Sequence, residues 1–148
     1  MFVGPPPVAS AQTAPQGVSE LSAGVAAAWS HRDFYAVELG AGRRAGQGRL
    51  MLAAAGGRLQ GGWGGRLEVR GQFVLLPFAR AGTGFYCGMG GAWMGGAGER
   101  GAAYLTALLG VERTPGRPRG WYVEAGVGGG VRVSVGLRWR QFPTWWPT

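Results

Sequence analysis

The sequence predicts an all-β chain, an eight-stranded antiparallel up-and-down β-barrel that spans a membrane, and three observations carry that reading. First, 31 of the 148 residues are glycine. Glycine costs a helix interior about 1 kcal/mol per position relative to alanine, whereas strands closing into a tight barrel accommodate it. Second, only 15% of the residues are charged, against roughly a quarter in an ordinary soluble domain. Third, apolar residues recur with period two from residue 21 to residue 139. They fall in about eight segments, each close to the roughly 9–11 residues of a tilted membrane strand, separated by turn-forming Gly, Pro and Arg.

The first strand sets Leu21, Ala23, Val25, Ala27 and Trp29 against Glu20, Ser22, Gly24 and Ser30. In the second, Tyr35, Val37, Leu39 and Ala41 oppose Glu38, Gly40 and Gly42. The third, residues 49–60, has no clear alternation and leaves its facing open. The fourth places Leu67, Val69, Phe73 and Leu75 opposite Arg66, Glu68, Arg70 and Gln72, and the fifth places Phe85, Cys87, Met89 and Trp93 opposite Tyr86, Gly88 and Gly90. In the sixth, Ala103, Leu105, Ala107, Leu109 and Val111 oppose Tyr104, Thr106, Gly110 and Glu112, with Leu108 out of pattern. The seventh sets Trp121, Val123, Ala125 and Val127 against Tyr122, Glu124, Gly126 and Gly128. The eighth is the cleanest: Val131, Val133, Val135, Leu137 and Trp139 against Arg132, Ser134, Gly136, Arg138 and Arg140.

A soluble barrel alternates in the same way, but its apolar face points inward. Here the bulky side chains share one face, while the glycines that suit a crowded interior share the other with the charges. This arrangement predicts an inside-out barrel. Glu20, Glu38, Glu68, Glu112 and Glu124 fall on the polar face together with Arg66, Arg70, Arg132, Arg138 and Arg140. Because buried ions cost several kcal/mol unless paired and hydrogen-bonded, these ten residues are expected to form an Arg–Glu network that fills the lumen and blocks conduction.

Membrane barrels carry aromatic girdles at both interfaces. With both termini at one end, Trp29, Tyr35, Trp63 and Trp93 fall at the far end, and Phe85, Trp121 and Trp139 at the near end. The far-end connections, near His31, residues 61–65, 95–100 and 128–130, are all short, which argues against an adhesin.

Residues 1–17 are rich in Pro, Ala, Ser and Gln, and Ala9, Ser10 and Ala11 have the small-x-small form that precedes a signal-peptidase cut. They are read as a leader, the remnant of a signal peptide. The barrel domain is assigned to residues 18–142 and a tail to residues 143–148.

Several classes of chemistry are excluded or disfavoured. All 15 basic residues are arginine, which removes the P-loop lysine and every lysine-dependent mechanism. The net charge of +8 is scattered, with many arginines in turn-like stretches such as Arg43–Arg44 and Arg117 and Arg119 around Pro118. No basic face for nucleic acid is expected, and contact with anionic lipid headgroups fits the scatter. One cysteine, Cys87, and one histidine, His31, fall short of a zinc ligand set, and no cofactor is expected. Ser30 and His31 are adjacent, so on a strand they point to opposite faces; a serine–histidine hydrolase would need a turn to bring them together.

The segment 131–142, VRVSVGLRWRQF, resembles the C-terminal signal strand of bacterial outer-membrane β-barrels, with alternating apolar residues, a glycine and terminal aromatics. Phe142 departs from the pattern: it is one step out of phase with Trp139, and Trp145 and Trp146 follow it. Over residues 18–142 the chain is similar to the small OmpA/OmpX type of barrel. That resemblance implies a place in the bacterial outer membrane, contact with its lipids and handling by the barrel-assembly machinery during insertion. Such barrels include anchors, binders of small partners and enzymes acting on lipid A, and fold analogy does not choose among them. The first expectation is a structural, anchoring or small-partner-binding barrel with a plugged lumen. The alternatives are a soluble exported barrel with an apolar ligand inside, or a lipid A-modifying enzyme using Ser30 and His31.

Overall fold

In the computed structural model, which describes residues 17–144, the chain forms eight strands: β1 (Val18–Trp29), β2 (Phe34–Ala45), β3 (Gly48–Leu59), β4 (Gly62–Val74), β5 (Thr83–Gly96), β6 (Ala102–Arg113), β7 (Arg119–Val127) and β8 (Val131–Gln141). Each pairs antiparallel with its sequence neighbour, and β8 pairs with β1, so the sheet closes as an up-and-down barrel without edges. Closure satisfies every ladder within the sheet, which is the condition a strand must meet to cross a hydrocarbon layer. Residues 1–16 of the leader and residues 145–148 of the tail, including Trp145 and Trp146, lie outside the described residues.

The turns follow from local chemistry. Gln60 and Gly61 both have positive φ (44° and 85°) in the two-residue connection between β3 and β4, the backbone a tight hairpin with right-handed strand twist demands. The β7–β8 connection is Gly128, Gly129 and Gly130, all at positive φ.

Strand facing obeys the period-two pattern, with the polar row inward. Leu105 is 89% exposed and Leu109 69%, whereas Glu112, between the same neighbours, is fully buried. This orientation overturns the soluble reading, which required the Leu/Val/Trp face to point inward around a ligand. Leu108 joins the inward row and packs with Val74 and Tyr86.

Other expectations need adjustment. Strand β3 does alternate: Arg49, Met51, Ala53, Ala55 and Leu59 are buried, while Leu50, Leu52 and Arg58 are exposed. Arg43 and Arg44 belong to β2, not to a turn, because the strand runs on to Ala45. Residues 62–65 and 95–96 likewise continue β4 and β5, so the connections at the end remote from the termini are shorter than the glycine clusters suggested. Leu75 lies past the end of β4, in the 75–82 connection.

Candidate functional site

The lumen has three levels. At the end remote from the termini it is apolar: Phe34, Leu59 and Met94 pack with Ala28, Ala36 and Ala55, and Tyr104 lies against them. At the end nearest the termini, the β6–β7 turn folds under the mouth. There Arg44 Nη2 donates to the Pro115 carbonyl (3.0 Å), and Arg140 Nη1 donates to the carbonyls of Thr114 (3.4 Å) and Arg117 (3.2 Å). The Arg44 guanidinium also lies 5.9 Å from the Phe142 ring. The out-of-phase register of Phe142 thus directs its ring to the mouth instead of the outer wall.

Between these closures lies a two-layer ion-pair network. In the layer nearer the termini, Glu112 receives three guanidiniums, Arg49, Arg138 and Arg140, each at 2.6 Å. Glu20 meets Arg49 Nε at 2.8 Å and Arg44 at 3.5 Å. In the other layer, Glu124 binds Arg70 (2.8 Å) and Arg132 (3.1 Å) and accepts a hydrogen bond from Tyr86 Oη (2.9 Å). Glu68 pairs with Arg132 and with Arg66 at 3.3 Å, and Glu38 meets Arg70 and Arg132, each at 3.4 Å. Arg138 links the layers by reaching both Glu112 and Glu124. Aromatic rings line the junction: Tyr122 lies 4.7 Å from the Arg138 guanidinium, and Tyr86 5.2 Å from that of Arg49.

All ten residues nominated from the sequence point into this lumen and pair with one another. Sequence reasoning missed Arg44 and Arg49, and with them the charge balance. Among the described residues the lumen buries seven arginines against five glutamates. The excess of two sits in the layer of Glu20 and Glu112, where the carbonyls of the β6–β7 turn receive Arg44 and Arg140 in place of further carboxylates. Tyr86 and Tyr122 were placed on the inner face without a role. Their rings fit because the facing residues are glycines: a Cβ on Gly110 would stand 2.3 Å from the Tyr86 ring, and one on Gly24 would stand 2.9 Å from Tyr122 Oη.

The seven nominated aromatics all lie on the outer wall. Trp29, Tyr35, Trp63 and Trp93 stand near the end remote from the termini, where Trp29 Nε1 donates to Tyr35 Oη (3.2 Å), and Phe85, Trp121 and Trp139 stand near the other end. Ser30 and His31 occupy the β1–β2 connection. There Ser30 Oγ bonds the Arg32 backbone, and His31 offers its carbonyl to Gln60. The Ser30 hydroxyl and the His31 imidazole do not hydrogen-bond each other, and no group of three or more metal-ligating side chains occurs among the described residues.

The fold and its polarity define a class: a closed eight-stranded antiparallel barrel with a charged, filled interior and an apolar exterior. No protein-family profile and no curated protein matches the chain. Solved structures do. Neisserial surface protein A superimposes with a TM-score of 0.62 at 12% identity, over 84% of this chain and 96% of that one. The N-terminal β-barrel domain of Pseudomonas aeruginosa OprF gives 0.66 at 11% identity, over 85% and 98% respectively. At this identity the likeness establishes the shared fold.

Proposed function

We propose that the protein is a bacterial outer-membrane β-barrel with a structural, anchoring or small-partner-binding role, its termini on the periplasmic side and its lumen plugged by Arg–Glu pairs. The observation that carries this reading is inverted polarity. Five glutamates and seven arginines are buried in the barrel, while large apolar side chains such as Leu105, Met89 and Trp63 stand 73% exposed or more. Water would penalise such an exterior, since soluble proteins rarely expose apolar patches beyond a few hundred Å²; hydrocarbon does not. The two rows of outward aromatics fit the interfacial girdles of membrane barrels. One structural neighbour is by name a surface protein of Neisseria.

An eight-stranded barrel is just wide enough for side chains to fill, and this lumen is occupied by arginines, tyrosines and an apolar layer, with the β6–β7 turn beneath. That filling supports an anchor or scaffold over a pore. A lipid A hydrolase finds little support, because Ser30 is engaged by the Arg32 backbone and not by an imidazole.

The test is partition. Expressed with a complete signal peptide, the chain should appear in the outer-membrane fraction and migrate faster unboiled than boiled on a denaturing gel. Recovery as a soluble periplasmic protein with a single mobility would refute the reading.

A further inference from the structure

Arg58 differs from the twelve charged residues of the lumen. It is the penultimate residue of β3, exposed on the outer wall, and its side chain makes no hydrogen bond or ion pair among the described residues. It is flanked in the sheet by Tyr35 on β2 and Trp63 on β4, so the three form one row at the end remote from the termini. On the outer wall of a membrane barrel this level is the interface. A long side chain there keeps its stem against apolar surface and lifts its charge toward the headgroups.

Below that row the wall is indented. The next outward positions toward the middle of the barrel are Val37, Gly56 and Gly65. A Cβ built on Gly56 would meet nothing within 4 Å, so the space in front of it is open. Gly95 follows Gly65 in the same row, and the Trp93 indole leans over it (2.8 Å from the position of a Cβ), forming the wall on that side. On the other side a groove of about 500 Å³ runs from Arg58, Trp63 and Tyr35 along Gly56 and Val25. Its lining is apolar except at its head, where the guanidinium and the Tyr35 hydroxyl stand.

We propose that this groove is a specific site for one phosphate-bearing membrane lipid, with the phosphate on Arg58 and one acyl chain lying over Gly56 and Val25. A guanidinium matches phosphate oxygens with a fork of donors. The charge is complementary and unopposed by protein, since Asp33 and Glu99 are the only acidic residues outside the lumen and neither pairs with Arg58. The apolar channel directly below excludes a soluble anion as the intended occupant, because a free phosphate would leave it empty. The proposal rests on the membrane reading above and adds a single named site to it.

The experiment is native mass spectrometry of the detergent-released barrel after incubation with dioleoyl phosphatidylglycerol. Dioleoylglycerol serves as the probe without phosphate, and glycerol phosphate as the probe without chains. The wild type should retain one phosphatidylglycerol and neither control. Arg58→Gln should lower retention at least tenfold, Gly56→Leu, which fills the channel, should do the same, and Arg100→Gln, which removes a loop charge at the same end, should leave it unchanged. Retention in Arg58→Gln equal to wild type would overturn the proposal, as would equal retention of dioleoylglycerol or displacement by glycerol phosphate. The heat-dependent gel shift is recorded on every variant: a chain with no shift and no membrane recovery fails the membrane reading itself, whereas a shifted membrane barrel indifferent to Arg58 fails only the lipid site.

Discussion

Single residues in the lumen differ in weight because the charges do not balance. Glu112 is the sole carboxylate within 3 Å of Arg138 and Arg140 among the described residues, and one of two within that distance of Arg49. Glu112→Gln would leave three guanidiniums crowded around a neutral amide, and removing one partner of a buried pair costs about 3–5 kcal/mol. Arg44 stands on the surplus side: Glu20 keeps Arg49 at 2.8 Å without it. In Arg44→Gln the amide still offers a donor toward the turn, and the loss should be nearer about 1 kcal/mol, the scale of one net hydrogen bond. Denaturant titration of the folded barrel, followed by tryptophan fluorescence, should rank the two in that order. Equal losses would mean that the surplus of positive charge has no energetic consequence. Tyr86→Phe removes a hydroxyl bonded to Glu124 and should cost about 1.5–3 kcal/mol, the range for a hydrogen bond to a charged group.

At the scale of elements, strands are interlocked by tyrosine over glycine. Tyr86 on β5 lies against Gly110 on β6, its cross-strand partner. Gly110→Ala would force a methyl to within 2.3 Å of the ring, and overpacking of this kind costs typically about 1–3 kcal/mol. In Tyr86→Ala the space is already open, so adding Gly110→Ala there should cost little more, a non-additivity that a double-mutant cycle reads directly. Additive losses would mean the ring and the glycine are independent. The same scale explains what the sequence disclosed. Strands β4 and β8 were legible because Arg and Glu alternate there with Leu, Val and Trp, and period two is visible whenever the two faces differ in polarity. Strand β3 was not legible, because its inward row mixes Arg49 with Met51, Ala53 and Ala55 while its outward row contains Ala54, Gly56 and Arg58. Arg44 was hidden by its neighbour Arg43 and by Gly46 just beyond, which together imitate a turn although β2 continues to Ala45. The apolar layer of Phe34, Leu59 and Met94 could not be separated from the outer wall by hydropathy; only register assigns it to the inside.

For the whole molecule, the question that decides between environments is what surrounds the outer wall, and Cys87 is a built-in reporter of it. It is the single cysteine, lies on β5 in the outward row with Phe85 and Met89, and is exposed in the isolated chain. Taking a charged group into hydrocarbon is costly, so a lipid layer keeps a charged reagent away from this side chain. In intact outer-membrane vesicles Cys87 should therefore resist a membrane-impermeant maleimide carrying a sulfonate, react with a small lipid-soluble maleimide, and become fully reactive to both after denaturation. A barrel standing in water would instead expose this side chain to the impermeant reagent at the rate of a free thiol. Because the position is fixed by the register of β5 against β4, where Cys87 faces Phe73, the same labelling also tests the inversion of the barrel: an inward cysteine would be shielded from both reagents until the ion-pair network unfolds.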